Sequence, residues 1–203
     1  MGEPAIKYTF TIEEYLEREK TSLVKHEYHE GEIFAMAGST PRHSRITTNT
    51  TRELGNALSG TACLEYNSDL QIATSRQKFV YPDASVVCGE LSTYEENPLA
   101  SNNPVLIVEV LSDSTAAYDR TGKFMRYRQI PTFREYVLIE QGFPFVEVRT
   151  KLEDETWQIR IYEGLSETVV LKGIDVQIPM ARLYSGVVFD ANSAEEWFNR
   201  TRS

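Results

Sequence analysis

One residue constrains this chain more than any other. Glu109 stands inside Val105–Leu106–Ile107–Val108–Glu109–Val110–Leu111, an apolar run that contains a single carboxylate. Such a run reads as a strand covered on both faces, so the chain must place layers on either side of a sheet. A carboxylate buried there is costly unless a proton, a cation or a metal answers it. The sequence offers two answers: a metal shared with Asp83, or the ammonium of Lys123.

Composition narrows the class. A chain of 203 residues fits one domain of 1–203, and its 41% hydrophobic and 25% charged residues are those of a globular protein. The net charge of −9 argues against bulk electrostatic grip on duplex nucleic acid, although a metal can supply positive charge locally. Two cysteines, Cys63 and Cys88, are too few for a disulfide framework, so free thiols in a reducing compartment are expected. The first residues carry no signal-peptide pattern, and no apolar run approaches the ~20 residues of a membrane helix. A cytoplasmic protein without a membrane partner is the expectation.

Thr11 and Glu14 form a capping-box pattern that opens a short helix from residue 12 to about 19. A turn at residues 28–32 leads into a strand over 33–37. Ile46, Leu54 and Leu58 space a helix over 42–59, with Gly60 as its stop. Residues 63–66 and 70–73 read as one bent strand and 79–88 as another. Residues 89–104, rich in Asn, Glu, Ser and Pro, read as a flexible loop. After the buried strand, N-cap residues at 112–115 start a helix over 116–130 that Pro131 ends. Strands follow over 133–140, 145–151 and 157–163, the last two as an antiparallel hairpin. Short strands begin at residue 169, and an amphipathic turn lies near residues 196–198. The fold class is α/β (α+β), a mixed central sheet flanked by helices with extra C-terminal antiparallel strands. The core occupies about 42–140, with an N-terminal extension over 1–41 and a C-terminal β extension over 141–203.

Tyr81-Pro82-Asp83 puts a carboxylate at the start of one apolar strand, and Glu109 lies on the next long one. Two carboxylates facing the same way on adjacent strands make a hard oxygen site for Mg²⁺ or Mn²⁺, with the backbone carbonyl of Val110 as a further ligand. This order of Pro-Asp then Glu resembles the PD-(D/E)XK nuclease superfamily, whose fold is restriction-endonuclease-like. Longer phrases run through most of the chain: Lys25-His26-Glu27-Tyr28, Gly31-Glu32-Ile33, Met36-Ala37-Gly38, Val108-Glu109-Val110-Leu111-Ser112, Tyr118-Asp119-Arg120 with Lys123 and Tyr127, and Ile130-Pro131-Thr132 with Glu135-Tyr136. These resemble the Uma-type endonuclease family, small bacterial proteins. The resemblance implies metal-dependent hydrolysis of phosphodiester bonds, with DNA as the first substrate and RNA as the second, and a product bearing a 5′-phosphate. Asp83 and Glu109 would hold the ion. The superfamily pattern puts its lysine two residues after the glutamate, where this chain has Leu111. Lys123, on the following helix, is the substitute.

Competing readings attach to each residue. Asp83 is otherwise a turn residue after Pro82. Glu109 is otherwise the acid of a structural ion pair with Lys123 or Arg126. Lys123 and Asp119 stand at the spacing of a solvated helix pair. Glu32, His43 and Glu53 are auxiliary candidates, and Arg42, Arg45 and Arg120 are candidates for contacting nucleic acid. Tyr127 and Tyr136 read as core. The C-terminal strands are a possible homodimer contact. The rival to an enzyme is a catalytically silent protein of the same fold that binds nucleic acid or a protein partner.

Overall fold

The computed structural model describes residues 9–36, 38–113 and 115–189. The turn expected near residues 196–198 lies outside them. The chain opens with α1 (Ile12–Thr21), whose Thr11 accepts from the Glu14 amide while Glu14 returns a bond to the Thr11 amide. β1 (His26–His29) and β2 (Glu32–Ala35) form a hairpin. α2 (Pro41–Leu58) starts on Thr40, which caps the His43 amide. β3 (Cys63–Asn67), β4 (Gln71–Ser75), β5 (Lys78–Val80), β6 (Ala84–Cys88), β7 (Thr93–Tyr94), β8 (Asn97–Ser101) and β9 (Pro104–Leu111) follow. α3 (Ala116–Tyr118), a π-helical turn (Asp119–Lys123) and α4 (Phe124–Tyr127) make one irregular helix. β10 (Glu135–Glu140), β11 (Phe145–Lys151), β12 (Trp157–Glu163), β13 (Thr168–Leu171), β14 (Val176–Pro179) and α5 (Met180–Leu183) complete the order.

These strands make two six-stranded sheets, ordered β2-β1-β5-β4-β8-β7 and β12-β11-β10-β9-β6-β3, and a small β13–β14 hairpin. In the second sheet β9 and β10 are parallel neighbours joined by the irregular helix, and β6 runs antiparallel to β9. Both faces of that sheet are covered. Val108 and Val110 point with Ile46 and Leu54 into a core under α2. Ile107 and Leu111 point the other way, with Phe124, Tyr127 and Tyr136. Strand alternation therefore sends Glu109 toward the irregular helix. A third cluster of Tyr15, Tyr28, Ala73 and Phe79 joins α1 to the first sheet.

Several strand expectations are corrected. The bent strand over 63–73 is two strands in different sheets, because Asn67 accepts from the Asp69 amide in a turn between them. The strand over 79–88 is likewise divided at Tyr81-Pro82-Asp83, and the two halves join different sheets. The loop over 89–104 holds β7 and β8, anchored by fully buried Asn97 and Ala100. The helix over 116–130 ends by Arg128 and contains the π-helical turn. Cys63 and Cys88 are not free: they are direct cross-strand partners in β3 and β6 and form a disulfide. That removes the reading of a reducing compartment from cysteine count. No helix among the described residues is long and apolar enough to cross a membrane.

Candidate active site

The site forms where β6 and β9 begin to pair. Ala84 pairs with Val108, so Asp83 stands beside Glu109 by register. Asp83 Oδ2 accepts from the Val110 amide at 2.7 Å and lies 3.2 Å from His43 Nε2. The imidazole also bonds the Val110 backbone. Pro82 ends the preceding strand, and the first turn of α2 delivers His43 to this point.

Glu109 is 3% exposed. Tyr127 donates its hydroxyl to Oε1 at 2.8 Å, and Lys123 Nζ sits 3.0 Å from Oε2. Lys123 also lies 3.1 Å from Asp119, itself buried. The π-helical turn brings Asp119, Lys123 and Tyr127 over the strand, and Tyr136 donates to the Asp119 carbonyl at 3.0 Å. Short π-type segments recur at functional sites. Burial pushes the Glu109 carboxyl up to about 8, the negative charges of Asp83 and Asp119 add to it, and Lys123 and Tyr127 pull the other way. Burial works against the Lys123 ammonium, but Glu109, Asp119 and Glu27 outweigh it and hold its pKa above the ordinary lysine range. Burial also opposes charge on His43, yet Asp83 and the Val110 bond raise its pKa above the usual histidine value.

Of the residues chosen from sequence, Asp83, Glu109, Val110, Lys123 and His43 come together. Glu53 does not: it is ten residues past His43, about 15 Å along the helix, and pairs with Arg52. Arg45 turns to the C-terminal segment, where it donates to the Ser185 carbonyl and lies against Gly186. Arg120 lies 3.7 Å from Glu147, which stands two strands from Glu109 in the same register row. Arg42 is half-buried beside His43 in the first turn of α2. Glu32 pairs across the β1–β2 hairpin with His29.

Glu27 is the residue that sequence reasoning quoted and left without a role. It is nearly buried, bonds His29 at 3.3 Å, and reaches the Tyr81 amide at 3.5 Å. Burial raises its pKa, but the bond from His29, the charge of Lys123 and the Tyr81 amide bring it below the usual glutamate value. It is therefore a standing negative charge within electrostatic reach of Lys123. Its alternating position in a short polar strand, His26-Glu27-Tyr28-His29, was the available signal: Glu27 must share a face with His29.

The donor set suits a divalent ion in kind. Two carboxylates and a backbone carbonyl are hard oxygen ligands, and the repulsion between Asp83 and Glu109 is what a shared cation relieves. Each Glu109 oxygen keeps a second lone pair beside its present bond. Among the described residues, no three His, Cys, Asp or Glu side chains form a metal cage by themselves. The carbonyl and water must complete the shell, as is usual for Mg²⁺.

Residues 12–181 match the model of the Uma2 family, described as "Putative restriction endonuclease". The chain belongs to the Uma2 family. An uncharacterized protein, slr1290 of Synechocystis sp. (strain ATCC 27184 / PCC 6803 / Kazusa), is 36% identical over 178 residues, covering 87% of this chain and 92% of its own. A second from the same organism, sll1609, is 36% identical over 148 residues, 72% of this chain and 84% of the relative. In fold, the chain is similar to a "putative nuclease belonging to DUF820" from Anabaena variabilis ATCC 29413, with a TM-score of 0.70 over 88% of this chain and 99% of that one, at 16% identity. The mixed α/β core of this chain is thus the fold of that "putative nuclease", in a family described as "Putative restriction endonuclease".

Proposed function

We propose that this Uma2 protein is a divalent-metal-dependent endonuclease that hydrolyses phosphodiester bonds, with DNA as its first substrate. The observation that carries the reading is the convergence on one strand pair of Asp83, buried Glu109 and a buried lysine with its charge held. Asp83, Glu109 and the Val110 carbonyl would hold the Mg²⁺ or Mn²⁺ ion. When bound, the ion polarises the phosphate and lowers the pKa of a coordinated water.

The other groups have separate work. Lys123 is held by Glu109 and Asp119 and stays protonated, so its role is to orient the attacking water and offset charge that builds on the phosphoryl oxygens. Glu27 keeps a negative charge near the ammonium, which limits where it can move. His43 fixes the Asp83 carboxylate and, with its raised pKa, places a proton within reach of the ion site. Tyr127 fixes the second Glu109 oxygen.

A different observation favours the silent reading: the Lys123 ammonium stands 3.0 Å from the Glu109 carboxyl and 3.1 Å from Asp119, so the buried acids have a partner without a metal. The two are separated by nicking of supercoiled plasmid in Mg²⁺ or Mn²⁺. The enzyme cleaves, and Asp83→Ala loses cleavage. Equal cleavage by both preparations, or none by the wild type on DNA or RNA, supports the silent reading.

A further inference from the structure

Beside the candidate site, cationic and aromatic side chains form a continuous ridge. In the β1–β2 hairpin Glu27 pairs directly with Phe34, so Phe34 stands on the same face as Glu27 and His29. The Phe34 and His29 rings lie 5.0 Å apart. His29 is 3.2 Å from Arg126 Nη1, and the Arg126 guanidinium lies 5.4 Å from the Tyr118 ring centre. The Tyr118 hydroxyl feels the charges of both Glu27 and Lys123, which sets the ridge against the lysine of the site. Arg126 Nη1 lies 3.2 Å from both His29 ring nitrogens, and His29 Nε2 is 3.3 Å from the Glu27 carboxylate, so the imidazole sits between the two charges.

The two terminal rings are open. Phe34 is 46% exposed and Tyr118 is 37% exposed. Large apolar rings left open, with a guanidinium between them, are the elements of a platform on which unpaired bases stack while the cation meets the backbone. Bases inside a duplex have no free face to offer such rings. The net charge of −9 also withholds the general attraction on which duplex binding depends.

We infer that Phe34, Arg126 and Tyr118 form a binding platform for single-stranded nucleic acid that leads an unpaired strand to the candidate hydrolytic site. The inference rests on the proposed endonuclease reading and adds the state of its substrate. Arg126 is held in place by His29 and Tyr118, so the platform is formed before any strand arrives. Exposed rings hold only part of their contact surface in the free protein, and stacking completes it.

The test is fluorescence anisotropy in EDTA, where cleavage is suppressed. The probes are a labelled thymidine homopolymer, the same strand paired with an adenine homopolymer, and a uridine homopolymer. Wild-type protein binds the single strands more tightly than the duplex, and the thymidine and uridine arms rank DNA against RNA. Phe34→Ala and Tyr118→Ala each weaken single-strand binding on the order of ten-fold, the scale of one lost stacking contact. Phe34→Tyr and Tyr118→Phe retain it, since the ring remains. Unchanged thermal unfolding of the alanine variants separates lost stacking from lost folding. Duplex bound as tightly as single strand, or alanine variants that bind as wild type, overturns the inference. If Asp83-dependent cleavage of duplex accompanies that result, the endonuclease reading stands alone. Ring-dependent single-strand binding with no cleavage of any strand in Mg²⁺ or Mn²⁺ overturns the endonuclease reading and leaves the platform.

Discussion

Glu109 is held by a lysine and a tyrosine, in a setting that burial makes hostile to its charge. The consequence for stability has a definite sign. In the metal-free protein the carboxyl binds its proton up to about pH 8, whereas an ordinary glutamate releases it near 4.5. Between those values the folded state carries more protons than the unfolded state, so this residue makes stability fall as pH rises. Urea unfolding in EDTA across that window shows the fall, and Glu109→Gln flattens it; an unchanged slope contradicts the assignment. At the proposed metal site the same proton would compete with the ion. Metal affinity is then expected to increase with pH toward 8 and binding to release protons, which calorimetry in buffers of different ionisation enthalpy reads directly. The carboxylate pair was legible because an acid in an apolar strand demands a partner. Asp119 and Glu27 were legible only as neighbours of Lys123 and His29, not as buried charges. Each sits in polar sequence whose burial depends on which way a short element faces, and no local pattern records that.

At the level of elements, the π-helical turn decides the site. A regular helix over 116–130 was read from N-cap residues and Pro131, and the sequence has no rule that marks the extra residue per turn. Gly122 shows its trace, because a Cβ there would run into the Tyr118 ring. Glu135 is a second joint. Its carboxylate accepts from Thr150 and from the Lys172 and Gly173 amides, tying β10 to β11 and to the β13–β14 hairpin. Glu135→Ala leaves these donors unpaired and destabilises the fold by about 2–4 kcal/mol in chemical denaturation. No change in the unfolding midpoint contradicts that role. The capping box at Thr11 and the hairpin of β11 and β12 were readable, since both rest on contacts close in sequence. The division of residues 63–73 and 79–88 between two sheets was not, since each half alone is a sound strand.

Across the whole molecule, the two sheets are interwoven in sequence. The first combines strands from residues 26–35 with strands from 71–101, and the second runs from β3 to β12. The Cys63–Cys88 bridge ties the edge strand β3 to β6, which Asp83 immediately precedes. Chain entropy for its 25-residue separation gives about 3.5 kcal/mol of stabilisation. Unfolding with and without a phosphine reductant measures it, and identical midpoints contradict the bridge. In the proposed enzyme a lysine carried by the helix replaces one missing from the strand, where Leu111 is fully buried beside aromatic residues. Lys123→Met tests this most directly, through its rate of plasmid cleavage in Mn²⁺ and its metal-induced rise in unfolding temperature. Cleavage by Lys123→Met is expected to slow at least about 100-fold, with the metal-induced stabilisation retained. Cleavage at the wild-type rate by Lys123→Met would contradict it.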